Sequence, residues 1–429
     1  MKNMKKKGFT LVELLVVIAI VAILAAVSVV GYTVFIGRAN MSADQQAVTQ
    51  MNTMLEALDV NNEPEDLKAL YEYLNQTGLT AEDYKPLSKD HIFVWDIELN
   101  RILLVKDDKV VYPEEYIETA VSTNWYNLKA DEMKLGSAPA VNDSGAVAFG
   151  SASDLITTFK NPTGVSSVNL TKDINLMGAS AFIDKAPNDM VIDGKDKTIY
   201  NLVSSEFATI GKAYKNDTSA DNQKYASGFI GTVTSGKKVV IKNVTFEGLT
   251  IGDYETGSVG ALIGTLGGEL ELVNVTFKNC TIYGQNKVGI LVGQVQSSAK
   301  ITLTNVTVED CTVISSEAEA GKLFGTVTEG ATISGDCKVT NTNVEVVEFG
   351  AHKFVTIDGV KYITKVNGNG DADVKTLDGA SYTAVCKVPS ENAVAFFYPT
   401  VHGYVALGNG YCGRPAQEMT TISGLTITD

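Results

Sequence analysis

The chain repeats itself. Asn243-Val244-Thr245-Phe246, Asn274-Val275-Thr276-Phe277 and Asn305-Val306-Thr307-Val308 set their Asn residues 31 positions apart each time. A period of that size means stacked supersecondary units. Glycines frame apolar runs between them, at Gly228 and Gly231, Gly260 and Gly264, Gly289 and Gly293, and Gly321 and Gly325. These runs are short and lack helical spacing, so the expectation over residues 151–345 is a parallel β-solenoid, not a helical array. Strands stacked about 4.8 Å apart predict columns of equivalent residues. Phe246, Phe277 and Val308 form an apolar column, and Leu249, Cys280 and Cys311 form another. Glu247, Lys278 and Glu309 alternate in sign, as an exposed column does when it avoids stacking like charges. The Asn243, Asn274 and Asn305 amides are expected to ladder along a turn, although each also begins an Asn-Val-Thr sequon.

Composition bounds the remainder. At 429 residues the chain has room for two to four structural units. Its 45% hydrophobic and 20% charged content excludes a wholly disordered chain. A net charge of −15 argues against nucleic acid as a partner, since phosphate binders concentrate positive charge. The charge is unevenly spread, and the first forty residues are where it departs most.

Lys2, Lys5, Lys6 and Lys7 form a basic patch, and residues 14–36 then run without a charge or a proline. As a helix rising about 1.5 Å per residue, that run covers the roughly 30 Å hydrocarbon core of a bilayer, with the lysines on the cytoplasmic side. A cleaved secretory signal or a plain anchor would share this hydropathy. Two residues argue for something else. Gly8 separates the lysines from the apolar run, and Glu13 places a carboxylate one turn inside it. A charge at bilayer depth costs about 2.5 kcal/mol or more, so it calls for a partner.

The run Lys7-Gly8-Phe9-Thr10-Leu11-Val12-Glu13 resembles the cleavage site of type IV prepilins and type II secretion pseudopilins. The resemblance covers roughly residues 5–40. It implies that a prepilin peptidase removes residues 1–8 and methylates the new N-terminus at Phe9. It further implies that Glu13 pairs with the N-terminal amine of a neighbouring pilin subunit during filament assembly. Where such helices often carry a kinking proline this chain has Val30, and its first proline is Pro64. Loss of residues 1–8 would leave 31 basic against 50 acidic residues, or −19.

Beyond the membrane the helical pattern continues through Ala47, Met51, Met54, Leu55 and Leu58, so one helix is expected over residues 9–60, stopped by Asn61, Asn62 and Pro64. Residues 61–135 read as a small acidic α+β head. A helix carries Leu67, Leu70, Tyr71 and Leu74, and an antiparallel meander covers 92–97, 102–105 and 110–112, with Trp95 and Trp125 in the core. His91 stands alone and is expected to be structural. Residues 136–150 read as a linker.

The repeat region also resembles the GLUG-type repeats of bacterial surface proteins and adhesins, with an initial coil of Leu170 to Leu176, Ile192-Asp193-Gly194 and Thr198 to Leu202. Residues 346–429 are expected to form a β-rich cap, beginning with a hairpin about Asp358-Gly359. Asn367, Asn369, Asp371 and Asp373 alternate oxygen side chains as calcium loops do. Ala372 replaces the turn glycine and no Glu closes the loop, so a plain turn is expected. The redox states of Cys280, Cys311, Cys337, Cys386 and Cys412 stay open, including a bridge from Cys280 to Cys311 or from Cys386 to Cys412.

The fold class expected is therefore a pilin-like N-terminus, with a long hydrophobic helix and small α+β head, followed by a mainly parallel-β solenoid and a β cap. The function expected is a filament subunit, a minor pilin, displaying its solenoid for adhesion to a host, matrix or polysaccharide ligand. It would sit first in the cytoplasmic membrane with its head outside, then at the cell surface. No cofactor or metal is implied, and no enzymatic role is expected. Two alternatives remain. One is a secretion or competence pseudopilin. The other is a surface-tethered polysaccharide-acting β-helix enzyme, for which Asp193, Asp253 and Glu255 are the loosely suggestive acids.

Overall fold

The computed structural model describes residues 11–58, 64, 67–76, 79, 84–96, 99–107, 109–117, 125–128, 132–134, 138–176, 178–205, 226–366, 374–375, 381–400, 405–406, 412–413 and 416–429. Two compact units divide the chain, one holding residues 1–63 and 74–130 and the other 64–73 and 131–429.

In the first unit α1 runs unbroken from Leu11–Glu56, through Val30, close to the span expected. Its C-terminal half packs on an antiparallel sheet in which Ile92–Asp96 pairs with Arg101–Lys106 on one side and Trp125–Asn127 on the other. Lys109–Tyr112 extends the meander beyond Arg101–Lys106. Trp95 and Trp125 are both buried, and the Trp95 ring stacks 6.5 Å from Tyr126. The apolar stripe of α1 differs in detail from the expectation. Val48, Met51 and Leu55 are buried, together with the polar Asp44 and Asn52, whereas Ala47 and Met54 are only half-buried.

The polar pair pins the helix. Asp44 accepts the Leu87 and Ser88 backbone N–H groups at 2.7 and 2.8 Å. Asn52 closes a two-bond ring with Ile102, donating to its carbonyl and accepting from its N–H, both at 2.8 Å. Asn52→Ala strands both backbone groups of Ile102 in the interior. It is expected to cost about 2 kcal/mol in denaturant unfolding of this unit, since an unmet buried polar group costs about 1–3 kcal/mol. A cost near zero would mean that the ring contributes nothing.

The helix α2 (Leu67–Gln76), whose residues 67–73 fall in the second unit and 74–76 in the first, buries Leu67, Leu70 and Leu74, as its spacing predicts. The β-rich remainder of the second unit is built mainly from parallel sheets, with an antiparallel one in its C-terminal segment. The longest runs in the order Leu425–Thr428, Thr332–Thr340, Lys300–Glu309, Glu269–Lys278, Lys238–Glu247, Met190–Tyr200, Ser167–Leu170 and Ala146–Phe149. Phe246 pairs with Phe277 and Phe277 with Val308, while Glu247, Lys278 and Glu309 align, so both predicted columns form at the 31-residue offset. A second sheet carries Ile183–Lys185, Ile230–Val233, Ile263–Leu266, Val292–Val295, Phe324–Thr328 and Ala395–Tyr398. A third carries Val203–Ser205, Thr250–Gly252, Thr281–Gly284, Thr312–Ser315 and Asn343–Val346.

The glycines framing the apolar runs sit where backbones nearly touch. A Cβ on Gly325 would lie 2.0 Å from the Lys287 carbonyl carbon, a clash with main chain that no rotamer relieves.

Three expectations need correction. Residues 146–149, read as linker, form the edge strand Ala146–Phe149, paired in parallel with Ser167–Leu170. The repeat region opens with a helix, α3 (Ala152–Lys160), which its short β-like runs did not suggest. Ser151 caps it by accepting from the Asp154 N–H, and Leu155, Ile156 and Phe159 are buried. The C-terminal segment does form the predicted hairpin, His352–Ile357 with Val360–Val366, turning on Asp358 and Gly359 at φ of 49° and 79°. Yet it also gives strands back to the repeat sheets. Ala395–Tyr398 pairs with Phe324–Thr328, and Leu425–Thr428 with Thr332–Thr340, both in parallel.

Candidate functional site

Gly8 and Phe9 lie outside the described residues. Glu13 stands in the first turn of α1, where a carboxylate complements the positive end of the helix dipole. Around it the helix is apolar and exposed: Leu11 is 79% accessible, and Val12, Leu14, Leu15, Ile18 and Val21 are exposed as well. So much contiguous apolar surface marks an interaction face. The side chains of residues 23–34, in the middle of the uncharged run, lie outside the described residues. Among the described residues, no helix is long and apolar enough to cross a membrane.

On the repeat region the Asn ladder forms. The Asn305 amide donates to Asn274 Oδ1 at 2.9 Å, Asn274 to Asn243 Oδ1 at 3.0 Å, and Asn243 to Asp193 Oδ1 at 3.1 Å. All three Asn residues hold φ between 52° and 54°, a conformation their short amides tolerate. At the far end Asp336 cannot donate an amide proton, and its Oδ2 accepts the Asn305 backbone N–H instead, at 2.9 Å.

Asp193 is thus the terminal acceptor of the ladder. It is only 4% exposed, and Lys195 Nζ approaches to 2.7 Å and Lys242 Nζ to 3.4 Å. Burial alone would raise its pKa. The hydrogen bonds from Lys195 and Asn243 and the Lys242 charge outweigh this and bring it from 3.8 to about 2. Asp253 folds its own turn, accepting from the Glu255 and Thr256 backbones and the Thr256 hydroxyl. Asp193 lies on Met190–Tyr200 of the long sheet, whereas Asp253 and Glu255 follow Thr250–Gly252 of the third sheet.

A second corner column escaped the sequence reading. Asn201, Gly248, Asn279, Asp310 and Asn341 all take positive φ, between 45° and 65°. The signal was present as a recurrence of left-handed-tolerant residues, but three residue types share the column. Cys280 and Cys311 are buried thiols; the Cys280 N–H donates to Cys311 Sγ at 3.4 Å, and burial pushes the Cys280 thiol well up. Burial likewise pushes Cys337 up to about 12. Cys386 is buried, and the Cys412 side chain lies outside the described residues. So do residues 367–373 with the calcium-like alternation. Among the described residues no cluster of three His, Cys, Asp or Glu could hold a metal. His91 Nδ1 contacts the Lys89 carbonyl at 2.7 Å.

Residues 3–29 match the prokaryotic N-terminal methylation motif. Type IV major fimbrial proteins FimA of Dichelobacter nodosus are 43% identical to this chain over 56 residues. That match takes in 13% of this chain and 34–35% of the relatives, so the chain spans about a third of their length. No solved structure matches. The N-terminal segment of the chain is type IV prepilin-like.

Proposed function

We propose that this chain is a subunit of a type IV pilus-type filament, a minor pilin that displays a GLUG-like parallel β-solenoid as a binding head. A prepilin peptidase cuts between Gly8 and Phe9 and methylates Phe9, and the precursor waits in the cytoplasmic membrane before joining a surface filament. There the apolar first half of α1 packs among other pilin subunits, and Glu13 neutralises a neighbour's N-terminal amine. The observation that carries this reading is the methylation motif at residues 3–29, continuous with a helix whose N-terminal apolar face is exposed. What supports binding over catalysis is that Asp193 is committed to two lysines and the Asn ladder, and Asp253 to its own turn.

Glu13→Ala is expected to leave the amount of membrane-associated protein unchanged while lowering its share in sheared surface filaments about ten-fold. That corresponds to roughly 1.4 kcal/mol of lost subunit pairing. Quantitative immunoblotting of filament and membrane fractions reads it. Normal incorporation of the variant sinks the assembly role.

A further inference from the structure

The core of the β-rich unit ends in a cavity of about 460 Å³, within the roughly 300–1,000 Å³ of small-molecule sites. Its floor is aliphatic. Val339 continues the buried column of Phe246, Phe277 and Val308, and Val394, Leu425 and Ile427 complete the apolar lining. Around this floor stand Lys322, Asn392, Thr420, Thr421 and Asp429.

Lys322 breaks the pattern of its repeat. Gly260 pairs with Gly289, and Val288 bridges Ala320, so Lys322 is equivalent to Ile290 and Ala261. The backbone confirms the column: Ala261 N–H donates to the Ile290 carbonyl and Ile290 N–H to that of Lys322. Ala261 and Ile290 are fully buried core residues. A lysine in that column therefore turns a long cationic side chain toward the position the core occupies in earlier repeats. Among the described residues no hydrogen bond or ion pair engages its ammonium, and none engages the Asn392 side-chain amide, the two Thr hydroxyls or the Asp429 carboxylate. Asp429 lines the same cavity but forms no ion pair with Lys322, so the half-buried ammonium is left to meet an anionic group of a ligand. The short donors and acceptors beside it suit several hydroxyls, and the aliphatic floor suits the apolar face of a ring.

We propose that this cavity binds an acidic sugar residue of hexuronic-acid size. Lys322 holds its carboxylate, Asn392, Thr420, Thr421 and Asp429 meet its hydroxyls, and Val394 and Ile427 lie under the ring. The proposal names a ligand class for the display role above and rests on that role only for its setting.

The test is saturation-transfer difference NMR on the full chain in detergent micelles, with D-galacturonate, D-glucuronate and D-galactose as probes. At least one uronate is expected to bind about ten-fold more tightly than galactose. Lys322→Met, which keeps an unbranched side chain in an otherwise apolar column, is expected to remove that preference. Thr421→Trp, at an exposed position, is expected to block the site, and Glu13→Ala to leave the titration unchanged. Absence of signal from both uronates overturns the proposal, as does equal binding of galactose or an unaltered uronate affinity in Lys322→Met. Filament incorporation is read separately, so either result can fail without the other.

Discussion

Phe246→Ala is expected to destabilise the β-rich unit by about 3–5 kcal/mol, the range for deleting a fully buried aromatic side chain. The ring is wholly inaccessible. It lies 5.2 Å from Phe229 in an edge contact and 5.3 Å from Phe277 in a stacked one. Phe229 in turn meets Phe159 of α3 at 5.0 Å, and Phe159 meets Phe149 at 5.9 Å. The ring therefore joins the helix-capped start of the unit to its repeats, and each aromatic pair adds about 0.5–1.5 kcal/mol beyond burial. The half-buried neighbour Thr245 faces the other side of the same strand, and Thr245→Ala is expected to stay within about 0.5 kcal/mol. Denaturant unfolding of the unit, followed by far-ultraviolet circular dichroism, measures both. Similar costs for the two variants would mean that Phe246 is not in the core.

Much of this arrangement was legible because a parallel sheet converts a sequence period directly into contact. The 31-residue spacing that aligns Asn243, Asn274 and Asn305 also aligns Phe246 with Phe277 and Glu247 with Lys278, since Lys238–Glu247, Glu269–Lys278 and Lys300–Glu309 pair at one constant offset. The second sheet was harder to read for a physical reason. Ile230, Ile263 and Val292 are paired neighbours separated by 33 and 29 residues, because the loops between strands differ in length while the strands do not. The return of Ala395–Tyr398 and Leu425–Thr428 to the repeat sheets carries no period at all. Pairing between partners so distant in sequence leaves only generic strand patterns behind.

The proposed functional residues divide in the same way. Gly8, Phe9 and Glu13 could be proposed from sequence because the motif that carries them is local to one short segment. Asp44 and Asn52 were not: polar residues on an apolar stripe read as its edge until Leu87, Ser88 and Ile102 are seen to fold onto them. Lys322 is visible only once its column is known, because the residues that make it anomalous, Ala261 and Ile290, lie one and two repeats away.

Asp193 is expected to give the β-rich unit a pH-dependent share of its stability. Its pKa falls from 3.8 to about 2 on folding, so the unfolded chain binds the proton more readily than the native one. The resulting stability, about 2 kcal/mol, is present in full above about pH 4 and is lost as the pH falls toward 2. Asp193→Asn keeps an acceptor for the Asn243 amide but removes the charge facing Lys195 and Lys242. It should therefore be about 2 kcal/mol less stable than the parent at pH 7, with that gap roughly halved near pH 3 and small by pH 2. Asp193→Ala removes the acceptor too and leaves the Asn243 amide at the end of the ladder without it, for a further cost of about 1–3 kcal/mol at pH 7. Because the lysines are partly exposed, salt is expected to shrink the Asp193→Asn gap more than the further cost of Asp193→Ala. Chemical unfolding of the three proteins from pH 7 to pH 2 tests the set. A parent-to-Asn gap that stays constant across that range would show that the carboxylate charge does not stabilise the fold.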